Sequence, residues 1–318
     1  MAATLPNIPS IVTDGDLGSE YHNFVRFIRS QNLSGNTLYA YCGAIAALAD
    51  FLVERGYPTD VEAIDPKHLQ EWMIHLRETK SSATANQRYR GAQRFFSWYE
   101  GVVEDEKDPT HSYRSPFRSS QMKPPKVESR MTDVLTVQQM RDILAEAGGK
   151  TFEGRRDEAL ILMFYKTGAR RAEIANLTVD DIDMATGMFR VVGKGDRERP
   201  LWLDDEGVDA LSNYIRLRNH HPYRAEPWLW LGRKGRLTDS GIAQVIRDIG
   251  LRVGIVNLHP HQFRHTWNAN ADAAGLSIDT RMALAGWKSD KMPRHYGAQT
   301  QQARAIEAAR AVATRVKR

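Results

Sequence analysis

A single cysteine, Cys42, is all the thiol that 318 residues hold, and it lies inside an apolar-periodic segment. That excludes a disulfide framework and any cysteine-based structural zinc site. No stretch approaches 18 consecutive apolar residues, and the opening MAATLPNIPSIVTDGDLGSE lacks the basic start and apolar middle of a secretory leader. The expectation is a soluble intracellular chain with no membrane partner. HEXXH is absent, and the densest histidines (His220, His221, His259, His261, His265) have no acidic or cysteine partners at ligand spacing, so no metal site is expected. G-x-S-x-G is missing too, and GKGDRE at 193–198 has neither the spacing nor the Ser/Thr of a phosphate-binding loop. Charge of one sign is not in large excess. Lys plus Arg is 44 against 39 acidic residues, a formal +5 that mildly favours an anionic partner.

What is present divides into two halves. Residues 17–101 read as four helices. In NTLYAYCGAIAALADFLVERG, Tyr41, Ile45, Leu48, Ala49 and Leu52 recur on one face, with Ser34 or Asn36 as cap and Gly56 as stop. DPKHLQEWMIHLRETK opens with Asp65 as N-cap and Pro66 at the first helical position. SSATANQRYRGAQRFFSWYEGVV carries Tyr89, Ala92, Phe96 and Tyr99 on one side. Residues 14–103 are therefore expected to form a helical domain. HSYRSPFRSSQMKPPKVESR then sets five basic residues against one acidic, and Pro116, Pro124 and Pro125 forbid a continuous helix. Residues 104–130 read as a basic interdomain linker, either exposed or lying as a strap along a polyanion.

From 131 to 318 the expectation is helices around a small sheet. A helix follows Thr136, and RRDEALILMFYKTG buries Leu160, Met163, Phe164 and Thr167. LTVDDIDMATGMFRVVGKGDRERPLWL is the one convincing strand region, read as three antiparallel strands turned at Ala185-Thr186-Gly187 and at Gly193-Lys194-Gly195-Asp196. Helices are expected over 237–249, 261–274 and 277–285, the last stopping at Gly286, with an Ala-rich helix over 300–316. The fold class is mainly α with a small antiparallel β-sheet, in two domains.

Cationic side chains stand where elements begin or break. Arg170 follows Gly168-Ala169 at the end of a buried helix, with Glu173 one turn on. His261 and Arg264 are also one turn apart, and Lys194 lies between two glycines at a hairpin tip. Guanidinium forks match phosphate oxygens, so Arg170 with Arg264 can form a phosphate clamp. A structural salt bridge for Arg170 and a solvated turn for Lys194 are the plainer readings of each residue alone.

TGARRAEIANL (167–177), VVGKGDRERPLWL (191–203), LHPHQFRHTWNAN (258–270) and LAGWKSDKMPRHYG (284–297) together resemble the boxes of the tyrosine recombinases, the phage integrase and Xer type. The resemblance implies a catalytic set of Arg170, Lys194, His261, Arg264, Trp287 and the nucleophile Tyr296, supported by Glu173 and His265. It implies an N-terminal SAM-like core-binding domain and a C-terminal α+β catalytic domain. Activity would be cleavage and rejoining of DNA through a 3′-phosphotyrosyl intermediate, without nucleotide or metal cofactor. A type IB topoisomerase-like enzyme and a non-catalytic DNA-binding regulator are the alternatives. The implied partners are a double-stranded recombination site, further copies of the chain (two on one site, four on two sites, docking through helix 300–316), and a second recombinase or a DNA-bending protein. Arg88, Arg90 and Arg94 would contact DNA from the first domain, and Arg114, Arg118, Lys123 and Lys126 from the strap. A cytoplasmic, nucleoid-associated location follows. Position 287 is Trp where many members carry His, and the residues before the first helix are too few for the arm-binding domain of larger phage integrases.

Overall fold

A computed structural model describes residues 8–31, 33–105, 112–127, 133–193 and 197–290, which fall into two units divided at residue 130. In the first, α1 (Leu17–Ser30), α2 (Gly35–Arg55), α3 (Pro66–Thr79) and α4 (Ser82–Asp105) are the four expected helices. Local chemistry fixes their ends. The Thr37 N–H donates to the Ser34 side chain, Gly56 closes α2 in the left-handed conformation, and Asp65 accepts from the amides of Lys67 and His68 ahead of Pro66. α2 is long and apolar enough, by length and composition, to cross a membrane. In this fold it is a core helix, burying Ile45, Leu48, Ala49 and Leu52. It packs on α4 so tightly that a Cβ at Gly91 would come within 2.5 Å of the Ala44 side chain.

The segment 104–130 departs from a free linker over its described part. α4 runs on to Asp105, and Tyr113, Phe117 and Met122 are buried in the same core as the four helices. Tyr89 donates to the Met122 carbonyl (3.0 Å) and Asn86 to that of Pro125 (2.8 Å). The reason is in the spacing. Apolar residues are interleaved with the basic ones, so the chain buries one set and leaves Arg114, Arg118, Lys123 and Lys126 exposed.

The second unit contains α5 (Val137–Ala147), α6 (Phe152–Thr167), α7 (Arg171–Ala175), β1 (Ile182–Asp183), β2 (Met188–Gly193) and β3 (Arg197–Trp202). Then follow α8 (Asp205–Arg218), β4 (Leu231–Gly232), β5 (Gly235–Arg236), α9 (Asp239–Arg252), α10 (Pro260–Ala273) and α11 (Ile278–Ala285). β1, β2 and β3 form the expected antiparallel sheet in that order, with Phe189 opposite Leu201 and Val191 opposite Arg199. The β4–β5 hairpin was not expected, because two-residue strands are too short to show alternation. α6 lies among α5, α8 and α10, and its Leu160, Ile161, Met163 and Phe164 are buried in this unit's core. Burying an entire Leu or Phe side chain contributes about 1.5–3 kcal/mol. The buried stripe of α6 thereby fixes where its C-terminal end, and the residues after it, stand.

Candidate functional site

α6 ends at Gly168, whose φ of +59° suits glycine, and a Cβ there would lie 2.6 Å from the Trp267 ring of α10. The chain turns and presents Arg170 just ahead of α7. Glu173 reaches back to it: the Arg170 amide donates to Oε2 (2.7 Å) and its Nη1 to Oε1 (2.8 Å). The other prong, Nη2, donates to the Gly286 carbonyl (2.7 Å). α10 begins at His259, whose Nδ1 accepts from the Gln262 amide (3.1 Å), with Pro260 at its first position. Arg264, one turn inside, is 2% exposed and donates to the carbonyls of Gly168 (2.6 Å) and Ala285 (2.7 Å). Its guanidinium also lies 4.6 Å from the centre of the Trp287 ring, a cation–π geometry.

The sequence reading missed the third arginine of this cluster. Arg199 gives Nη1 and Nη2 to the two oxygens of Glu173 (2.7 Å each) and Nε to the Leu284 carbonyl (2.7 Å). The signal was strand alternation. Arg199 is two residues from buried Leu201 and opposite buried Val191, so it points to the core face, where an arginine requires a partner. Three guanidiniums thus hold the three successive carbonyls of Leu284, Ala285 and Gly286 at the end of α11. Cations are favoured at that negative helix end. Gly286 has a φ of +65°, and a Cβ there would crowd both Arg170 and Arg199 at 3.1–3.2 Å.

Ala169, Arg170, Arg171, Pro260, His261, Arg264 and Trp287 line a cavity of about 440 Å³. Burial pushes the Glu173 carboxyl upward, but hydrogen bonds from Arg199 and the Arg170 amide, with the Arg199 charge, more than offset this and hold it below its ordinary value. Desolvation, followed by the positive fields of Arg264, His259 and Arg170, pushes His261 down to about 4, although its side chain keeps contact with solvent. At neutral pH the cavity therefore combines fixed cations with an uncharged imidazole able to accept a proton. His265 is buried, its ring edge-on to His261 at 4.5 Å. No cluster of metal-ligating side chains occurs among the described residues.

Arg170, Glu173, His261, Arg264, His265 and Trp287 are brought together. Lys194 and Tyr296 lie outside the described residues, as does the segment 300–316. β2 ends at Gly193, the residue before Lys194, and a Cβ on Gly193 would be 3.4 Å from Glu173 Oε1. On the first unit, Arg90 and Arg94 are exposed, Arg94 over the Phe27 ring and Arg90 bonded to Asn86, while Arg88 is half-buried along Gly43. Arg118 is tied to the buried carboxylate of Glu100 (2.9 Å).

Comparison with known proteins agrees with this layout. The phage integrase family model matches residues 133–303, and that for the phage integrase N-terminal SAM-like domain matches 21–104. The chain is 29% identical over 268 residues to tyrosine recombinase XerC of Herpetosiphon aurantiacus, covering 81% of this chain and 83% of that protein. It is 29% identical over 274 residues to XerD of Staphylococcus epidermidis, covering 84% and 88%. The fold resembles that of the XerH recombinase in its post-cleavage complex with difH (TM-score 0.72, 16% identity, 95% of this chain and 90% of that one). It also resembles the Tn1549 transposon integrase with transposon right-end DNA (TM-score 0.70, 17% identity, 95% and 99%). With the catalytic-domain match spanning more than half of its length, this chain belongs to the phage integrase family of tyrosine recombinases.

Proposed function

We propose that this protein is a site-specific recombinase that cuts and rejoins DNA through a transient bond between Tyr296 and a 3′ phosphate. The observation that carries the reading is the convergence of Arg170, Arg264 and His261 on one 440 Å³ cavity, with both arginines fixed to the helix end that precedes the Tyr296 segment. Tyr296 stands nine positions after Trp287, a reach of at most about 32 Å when extended.

In this mechanism the scissile phosphate enters the cavity, and Arg170 and Arg264 offset the charge that grows on its non-bridging oxygens. The Tyr296 hydroxyl attacks phosphorus as His261, neutral at pH 7, takes its proton. The bond from phosphorus to the 5′ oxygen breaks, and Lys194 protonates the leaving oxygen. The 5′ hydroxyl of a second strand then attacks the phosphotyrosyl bond and releases the tyrosine. One phosphoester replaces another, so the exchange needs no energy-rich cofactor. Trp287 backs Arg264, and Glu173 orients Arg170.

Arg90, Arg94 and the exposed strap cations would hold the duplex, with Arg88 reaching it only by leaving Gly43. Solved structures of similar fold on DNA include a lambda integrase dimer bound to a core site (17% identity, TM-score 0.66), which supports two copies per site; four on two sites would follow from pairing two such dimers. Docking of 300–316 on a neighbouring copy belongs to the same reading, as does a cytoplasmic location on the nucleoid.

The test is a suicide assay. Incubation with a library of nicked duplexes should give a slowly migrating, protease-sensitive protein–DNA species with wild type and none with Tyr296→Phe, which still binds. Adduct formation by the Phe variant would overturn the assignment.

A further inference from the structure

Arg199 is held unlike an ordinary ion-pair partner. Its side chain is 12% exposed and uses all three nitrogens: two on the oxygens of Glu173, the third on Leu284. Glu173, 2% exposed, uses the same two oxygens to aim Arg170, one on its amide and one on Nη1. Arg170 is 39% exposed and lines the cavity, whereas Arg199 is not among the lining residues. Arg199 therefore lies one layer behind the cation that faces the phosphate, with the carboxylate between them.

Resting on the recombinase reading, we propose that Arg199 is a positioning residue for strand cleavage, acting through Glu173 to hold the Arg170 guanidinium at the non-bridging oxygen. The two-pronged fork fixes the carboxylate plane, and that plane fixes the direction of Arg170. The contact to Leu284 ties the same arrangement to the end of α11, which the Nη2 prong of Arg170 also holds through Gly286. Without Arg199 the carboxylate keeps only the Arg170 amide and Nη1, loses the fork that braces it from behind, and can shift together with the Arg170 side chain. Misplacement of a charge-stabilising group by about 1 Å costs on the order of 100-fold in rate. Lysine at this position restores the charge without the fork, so the exchange is not conservative.

The experiment measures single-turnover formation of the covalent adduct at saturating protein for wild type, Arg199→Met, Arg199→Lys and Arg170→Ala. Each acts on two substrates, one with an ordinary scissile phosphate and one with a methylphosphonate there. The methyl group removes the charge that Arg170 offsets while leaving the bonds made and broken the same. On phosphate, Arg199→Met should be slower by roughly 30- to 100-fold and Arg199→Lys by roughly 10-fold, with DNA affinity within about 3-fold of wild type. On methylphosphonate both should return to within about 3-fold of wild type, as Arg170→Ala should. If Arg199→Met does not fold, Arg199→Lys carries the same comparison. Equal losses on the two substrates would mean that Arg199 only props the fold, and no loss on phosphate would mean that it is dispensable. Either result overturns the proposal. A wild-type protein that forms no adduct on either substrate would instead overturn the recombinase reading beneath it.

Discussion

His261 and Glu173 have opposite charge chemistry but push stability the same way in acid. The imidazole is held down to about 4 from an ordinary 6.5, so between those values the unfolded chain binds a proton that the folded chain refuses. Glu173 is held below its ordinary 4.5, so its contribution is present above that value and lost as pH falls through the folded one. Stability should therefore decline from pH 6.5 to 4, and less steeply in His261→Asn. Thermal melts across that window check this, and the His261 ring protons in NMR should titrate near 4. A midpoint near 6.5 would contradict the described cavity. At this scale the sequence was informative where a residue's neighbours in the chain reveal its environment. Arg170 after a glycine stop and Arg264 one turn from His261 stood out for that reason. Arg199 did not, because its partner Glu173 is 26 positions away and only the packing of α7 against the sheet brings the two together.

Helix ends place the site more than helix middles do. Gly168 is required twice, by its left-handed backbone and by the Trp267 ring 2.6 Å from where a Cβ would stand. Gly168→Ala should destabilise the protein by about 1–3 kcal/mol and slow cleavage, because the Gly168 carbonyl also receives Arg264. Urea denaturation with the suicide assay checks both. Caps and stops at Ser34, Gly56, Asp65 and Gly286 were legible because their chemistry is local. The strap was read less well. Proline and basic residues marked it as loop, while Tyr113, Phe117 and Met122 bury themselves only because α4 supplies a wall. Its exposed cations remain available to phosphate. Alanine at Arg114, Lys123 and Lys126 should weaken binding to cognate and random duplexes alike and flatten the log–log salt dependence by up to roughly 3 units. Arg118 is left in place because Glu100 needs it. An unchanged slope would mean that the strap stays off the DNA.

At the scale of the molecule, two separate hydrophobic cores among the described residues match the two halves read from the sequence. The division was legible because the prolines and basic residues of 104–130 interrupt the helical pattern, and the alternating run near residue 182 occurs only in the second half. α8 drew no separate notice beside it, its apolar stripe being short. Assembly is the property of the whole molecule that the recombinase reading most needs. Truncation after Gln299 should leave binding to a single half-site near normal and abolish cooperative binding to the full site, as read by gel shift at several protein concentrations. Equal cooperativity in the truncated and full-length proteins would remove the exchange of 300–316 between copies.

The central claim is that one tyrosine carries the DNA while two anchored arginines hold its phosphate. The chain has 11 tyrosines, and Tyr21, Tyr89, Tyr99, Tyr113 and Tyr214 are buried in the two cores. Mass spectrometry of the trapped adduct, after digestion of the DNA to a short remnant and of the protein to peptides, locates the bond. The nucleotide is predicted on the peptide containing Tyr296, in wild type and at reduced yield in Arg170→Ala; its attachment to any other residue would contradict the account.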